Sequence, residues 1–600
     1  MSVMKRFLVF ILFLACTSQL SQASSVRLYR NGSTDYRIIL SKDALPAEKT
    51  AVHELCKYLE MITGAAPKAY YDTEMPAGKH EIIVGRTNRE GQSFSIDREP
   101  AGEEGLIIRW KGKSVFITGP DRNYGRGTLY AAYEFLRRMG CEFYAKDTET
   151  VPRDSDLSVE KQDVLQVSPF EHRDIYWSCV FGEEISAKLR INACLTTANR
   201  NIRPEYGGMR TYTKNMFVHT FDKIIPPEVY FDSHPEYFSE IEGERTCKHL
   251  YSQICMSNPD VLKLAIEKVK EWIREDPDSR IVSVSQNDSF VIESYCDCEK
   301  CHAINEEEGS PAGALLRFTN AVADGIRDEF PDVAIDMLAY QYSTVPPKIT
   351  KPRDNVVVRY CTGACYPHPI EECEVNAGPR AYISKWNEMC NRLYIWDYTT
   401  NFAQYYCPIA NFKSLKPNLQ FFRDHGVKGV FEQGMYQNGE SAEFGELRAY
   451  VLARLMWNPE EDVDALVDSF MKAYYGAGAP MVHEYFDLLH ERVLDSGVHF
   501  GPAFVCGDRL KNLFSEADLE HLDKVWNDAV EACPEGSKEQ NHVLRSQLSY
   551  RFYKLDCRVR EFADDFETAD RQFTIDCNRL GAVRVNEGAN IPWIDVDESK

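Results

Sequence analysis

Past Ala15 the sequence has no apolar run long enough to cross a bilayer, which excludes a chain threaded through a membrane by several helices. Positive charge is also short. Lysine and arginine number 69 against 92 aspartates and glutamates, a formal net charge of −23. A surface of that sign repels phosphate backbones and excludes nucleic acid as a partner. The glycine-rich turn Gly125-Arg126-Gly127 lacks both the GxGxxG and the GK[ST] pattern, so it reads as a tight turn before a helix rather than a phosphate cradle. No short-period repeat is present.

What the chain does have is aromatic side chains, 12% in all with 32 Tyr and 8 Trp. Such rings stack on the C–H faces of sugars or fill a core, and composition leaves both readings open. Its 19 cysteines are scattered rather than set in a small disulfide framework. The first residues carry a targeting pattern. Lys5 and Arg6 precede the apolar run Phe7–Ala15, and Ser21-Gln22-Ala23 offers a cleavage site, so residues 1–23 are expected to be a signal peptide. Leu14-Ala15-Cys16 also resembles a bacterial lipobox, with Cys16 as the lipid anchor. Both routes predict export, to the periplasm or the surface of a bacterium, where some thiols should pair.

The remaining length is too great for one ordinary core. Residues 26–166 predict a small α/β domain: a strand at Tyr36–Leu40, a helix at Ala47–Thr63, a strand at His80–Gly85, a hairpin about Lys111-Gly112-Lys113 and a helix at Thr128–Met139. Across 167–441 eight apolar runs alternate with helical segments. They are His172–Trp177, Ile191–Thr196, Met216–Phe221, Arg280–Asn287, Val333–Tyr340, Asn355–Tyr360, Arg392–Asp397 and Lys428–Gln433. Eight βα units in that length are the arithmetic of a (β/α)₈ TIM barrel. Residues 442–573 predict a helical domain, and 574–600 a C-terminal tail.

In such a barrel the catalytic side chains project from the C-terminal ends of the strands. The fourth run ends in Asn287-Asp288, the fifth in Tyr340-Gln341-Tyr342, the seventh in Trp396-Asp397-Tyr398 with Asn401 beyond, and the eighth in Glu432-Gln433; His219 lies in the third. Asp288, Asp397 and Glu432 therefore offer the two facing acids that glycoside hydrolysis needs, one protonated and one charged. A carboxylate at a strand end also commonly caps the next helix. Tyr340, Gln341, Tyr342, Trp396, Tyr398, Asn401, Gln433 and His219 would then bind the sugar. After the fourth run, Cys296, Cys298 and Cys301 have ligand spacing for a structural zinc, with His302 or a distant cysteine as the fourth ligand; disulfides or free thiols fit the same residues. Catalysis itself calls for no cofactor.

RGTLYAAYEFL at Arg126, HPEYFS at His234, VSVSQND at Val282, CDCEKC at Cys296, LAYQY at Leu338, LYIWDYTTNF at Leu393, GVFEQG at Gly429, LRAYVLARLMWNP at Leu447 and AYYG at Ala473 stand in one order along the chain. By these stretches it resembles the bacterial domain-of-unknown-function family 4838. The resemblance implies a glycoside hydrolase with an N-terminal domain similar to that of β-hexosaminidases and α-glucuronidases ahead of a catalytic barrel. Some members are endo-β-N-acetylglucosaminidases of glycoside hydrolase family 163. It thus implies an N-acetylglucosamine-containing glycan, such as an N-glycan, as substrate, cleaved with retention by the substrate's own acetamide. Asn287-Asp288 would then be the orienter and acid, although Asp stands where that pattern has Glu. Two alternatives are an inverting α-glucuronidase-like enzyme, with Asp288 as acid and Asp397 and Glu432 activating water, and a non-catalytic glycan-binding protein.

Overall fold

A computed structural model of the chain describes residues 24–193, 202–208, 212–289, 291–437, 439–440 and 443–594. The expected signal peptide and Cys16 lie outside the described residues. Within them, no helix is long and apolar enough to cross a membrane.

The N-terminal part is a six-stranded sheet. Its strands are β1 (Arg37–Leu40), β2 (Lys68–Tyr71), β3 (Glu81–Val84), β4 (Leu106–Lys111), β5 (Ser114–Thr118) and β6 (Val164–Gln166), in the order β6-β4-β5-β3-β1-β2. Helix α1 (Pro46–Thr63) begins with proline in its first turn, where no backbone donor is needed, and ends at Gly64 in the left-handed region. Ala47, Ala51, Leu55 and Leu59 give it an apolar stripe that shares one core with Leu129 and Leu136 of α2 (Arg126–Arg137). The glycines at the start of α2 serve close packing: a Cβ on Gly127 would stand 2.5 Å from the Gly105 carbonyl oxygen. Arg126 between them binds Glu104 and the Gly207 carbonyl.

The central sheet is a parallel half-barrel. Strands β7 (His172–Tyr176), β8 (Ile281–Ser283), β9 (Ala334–Ala339), β10 (Val356–Cys361), β11 (Leu393–Tyr398) and β12 (Gly429–Gln433) lie in the order β7-β12-β11-β10-β9-β8. Six of the eight expected runs are therefore strands. Of the second, Asn192 and Ala193 donate backbone hydrogen bonds to the Arg173 carbonyl beside β7, and residues 194–196 lie outside the described ones. The third, Met216–Phe221, is not a strand. His219 has a left-handed φ of 56° and Phe221 opens a short helix, so the segment cannot stay extended. Tyr212, four residues earlier than expected, makes the parallel bridge to Ile281 on β8.

Both faces of a parallel sheet are buried, and successive residues face opposite ways. Ile335, Met337, Val358, Ile395 and Val430 meet the helix-side core, while Ile281, Ala334, Val357 and Tyr394 face inward with Tyr212. The inner face also carries Arg359, fully buried, paired with Asp336 and ringed by Tyr212, Phe217, Tyr394 and Phe431. Outside lie α3 (Pro259–Glu275), α4 (Glu299–Glu308), α5 (Ala312–Ile326), α6 (Ala377–Met389) and α7 (Phe412–Asp424). The C-terminal helices α8 (Gly445–Trp457), α9 (Val463–Tyr475), α10 (Ala479–Ser496), α11 (Glu516–Ala532), α12 (Lys538–Cys557) and α13 (Phe566–Arg579) share that helix-side core. Beyond α13 the chain returns to the half-barrel, where the Val585 carbonyl accepts from Tyr405 N–H and Glu587 N–H donates to the Phe402 carbonyl.

Candidate active site

At the C-terminal ends of the strands lies a cavity of about 330 Å³. Aromatic rings wall it on several sides: Tyr176 from β7, Tyr340 after β9, Trp396 and Tyr398 from β11, then Phe402 and Tyr436. Tyr176 stacks on Tyr436 at 4.6 Å. Trp396 Nε1 donates to Gln433 Oε1 at 2.8 Å, which fixes both side chains on the wall. Gly434 lets β12 close on Trp177, since a Cβ there would stand 1.9 Å from the indole. A larger cleft of about 910 Å³ opens by Arg280 and Val333, at the N-terminal ends of β8 and β9, the end of such sheets that serves stability rather than chemistry.

Among the described residues, two carboxylates line the cavity. Asp288 follows β8, half-buried, and accepts the Tyr340 hydroxyl hydrogen at 3.3 Å. The other is Glu587, an exposed residue of the returning C-terminal segment, whose Oε1 accepts from the Tyr436 hydroxyl at 3.1 Å. Surrounding protein raises the Glu587 pKa, the Tyr436 hydrogen bond opposes that rise, and the charge of Asp288 adds to it. His219 is also on the wall. Its Nδ1 lies 2.8 Å from the Gln286 carbonyl, which can only accept, so Nδ1 carries a hydrogen.

The strand pleat separates the three acids that the sequence aligns at one mouth. Trp396, Tyr398 and Gln433 line the cavity, so the intervening Asp397 and Glu432 face the helices instead. Both are buried, at 7% and 1% exposure, and they are direct neighbours in the register of β11 and β12. The Thr362 hydroxyl donates to Asp397, and Glu432 Oε2 has no partner. Burial pushes Asp397 up to about 6, with Thr362 opposing, and drives Glu432 well above the carboxylate range, with the Asp397 charge adding to the rise. Burial thus favours the protonated form of both carboxyls.

Of the other expected residues, Tyr340, Trp396, Tyr398, Gln433 and His219 come together on the wall. Asn287 is engaged elsewhere, donating to Asp222 Oδ1 at 2.7 Å and to the Ser252 carbonyl. Asn401 ties down the Phe504 backbone, Tyr342 is buried against Tyr295, and Gln341 is exposed, all three outside the cavity lining. Tyr176, Phe402, Tyr436 and Glu587 were not legible beforehand. Glu587 in particular sits in an unpatterned stretch more than 150 residues beyond β12.

Cys296, Cys298 and Cys301 do converge, and the fourth member is Cys255, just before α3. His302 instead bonds Asp297 at the surface. All four cysteines are buried, and Cys255 Sγ lies 3.7 Å from Cys298 Sγ and 3.9 Å from Cys301 Sγ. Four thiolates about 2.3 Å from a tetrahedral zinc stand about 3.8 Å apart, so the cluster could hold a structural metal.

The family model described as Domain of unknown function (DUF4838) matches residues 143–487. No curated protein matches the chain. Among solved structures, the fold is similar to one described as a family GH115 4-O-methyl-α-glucuronidase with specificity for decorated arabinogalactans. That likeness covers 93% of this chain and 76% of the other, at a TM-score of 0.55 and 13% identity.

Proposed function

The chain belongs to the DUF4838 family, and on that footing we propose that it is a glycoside hydrolase acting on neutral glycans that contain N-acetylglucosamine. The observation that carries the reading is the pair Asp288 and Glu587 on the walls of one aromatic cavity. Glu587, its pKa raised, is the proton donor to the leaving oxygen; Asp288, held by Tyr340, is the charged partner that supports the developing positive charge on the sugar or orients its acetamide. Asn287, engaged with Asp222, is not needed for that task. A uronate reading is disfavoured by charge: the described lining residues present two carboxylates and no lysine or arginine to an anionic sugar. We further read the half-barrel as part of a (β/α)₈ ring completed beside β7 and β8, the four-cysteine cluster as a zinc site, and the protein as exported through residues 1–23.

The test is turnover by the purified chain on released N-glycans, aryl N-acetylglucosaminides and aryl glucuronides. Asp288→Asn and Glu587→Gln, with unchanged circular dichroism, should each lose about 10²-fold or more in kcat on the first two. A thiazoline analogue of N-acetylglucosamine should inhibit the wild type. Turnover of glucuronides alone refutes the substrate, and glycan binding that survives both substitutions, without any wild-type turnover, favours a binding protein.

A further inference from the structure

We infer that Cys365, His368, Cys373 and His499 form a second structural zinc site, which clamps the C-terminal helices to the rim of the cavity. The first three lie on the loop after β10, spaced C-x₂-H-x₄-C, and His499 lies in the segment after α10. Their ligand atoms all lie within 4.8 Å of one another. His499 Nδ1 is 3.3 Å from Cys365 Sγ and 3.6 Å from Cys373 Sγ, and His368 Nδ1 is 3.5 Å from Cys365 Sγ. A tetrahedral zinc with sulfur at about 2.3 Å and nitrogen at about 2.05 Å sets sulfur and nitrogen about 3.6 Å apart. The observed spacings match that figure. Two thiolates and two neutral imidazoles cancel the charge of the ion and leave no open position, which makes the site structural rather than catalytic.

The loop is built to hold this shape. Asn376 Oδ1 accepts from Cys365 N–H at 2.7 Å, and Arg380 donates to the carbonyls of Ile370, Glu371 and Cys373. Both sulfurs are buried, whereas His499 is exposed and leaves the ion a way in. A disulfide between Cys365 and Cys373 would leave unexplained why the imidazole of His499, from a distant segment, meets that of His368 with ring centroids 4.6 Å apart beside those sulfurs. The clamp reaches the cavity in two steps. The Phe500 carbonyl accepts from Tyr366 N–H, and the Pro502 carbonyl accepts from N–H of Phe402, whose ring is part of the wall.

The measurement is zinc per chain by mass spectrometry of the full protein. Cys365→Ser and His499→Ala should each hold one zinc equivalent fewer than wild type, and Co(II) exchanged into wild type should show thiolate charge-transfer bands that weaken in both variants. His499 is at the surface, so its variant should fold even if Cys365→Ser does not. Equal zinc in wild type and His499→Ala, or a Cys365–Cys373 disulfide in the unreduced wild-type digest, overturns the inference.

Discussion

Glu432→Gln replaces one of two carboxyl groups buried on neighbouring positions of β11 and β12 with an uncharged amide of the same shape. Burial drives Glu432 well above the carboxylate range and raises Asp397 from 3.8 to about 6. A carboxyl that stays protonated in the fold but ionises in the unfolded chain costs the fold about 1.4 kcal/mol for each pH unit above about 4.5. Both groups bind protons more tightly folded than unfolded, so their contribution is complete below the unfolded carboxyl pKa of about 4 and is lost as pH rises through about 6 and beyond. The glutamine variant has one fewer group to ionise. Its melting temperature should therefore gain on wild type as pH rises from 5 to 8. Over those three pH units the retained proton costs wild type about 4 kcal/mol, and for a chain of 600 residues an unfolding entropy of about 2 cal/mol/K per residue makes that worth about 3 °C. Differential scanning fluorimetry across that range resolves such a shift. Parallel pH profiles for the two proteins would refute the raised pKa of Glu432. Loss of turnover in Glu432→Gln to the extent seen in Asp288→Asn would refute its placement away from the substrate.

Three further substitutions probe other parts of the argument. Arg359→Met leaves Asp336 as an unpaired charge inside the half-barrel and should destabilise by about 3–5 kcal/mol, read as a loss of soluble yield and melting temperature; a neutral effect would contradict the burial of the pair. Cys255→Ser should lower zinc content and thermal stability together, whereas a cluster of independent thiols predicts neither. Trp396→Ala removes a stacking face and the Gln433 anchor, so KM for a glycan substrate should rise several-fold with melting temperature nearly constant; an unchanged KM removes Trp396 from the binding wall.

Much of the half-barrel was legible because its strands are short apolar runs with polar ends, repeated at the spacing of βα units. Where the pattern failed, at Met216–Phe221, a run of the right composition is broken by a left-handed backbone at His219, which hydropathy does not report. The cysteine loop was legible in three of its four ligands, since Cys296, Cys298 and Cys301 are local, while Cys255 arrives from the start of another helix. The second cluster also has one remote member: His499 lies 126 residues beyond Cys373 and completes the set that Cys365, His368 and Cys373 begin on one loop.

By itself, then, the sequence determined the chemistry available: an acidic, aromatic-rich chain with carboxylates and rings at the ends of parallel strands. It also determined the element order, because hydrophobic periodicity is a local property. The tertiary structure decided which carboxylates share a cavity. Neighbouring side chains on a strand face opposite ways, so one residue of register sends Trp396 to the cavity and Asp397 to the helices. Glu587 stands beside Asp288 for a reason no local pattern holds: the chain, after a hundred and fifty residues of helix, folds back onto the rim it left.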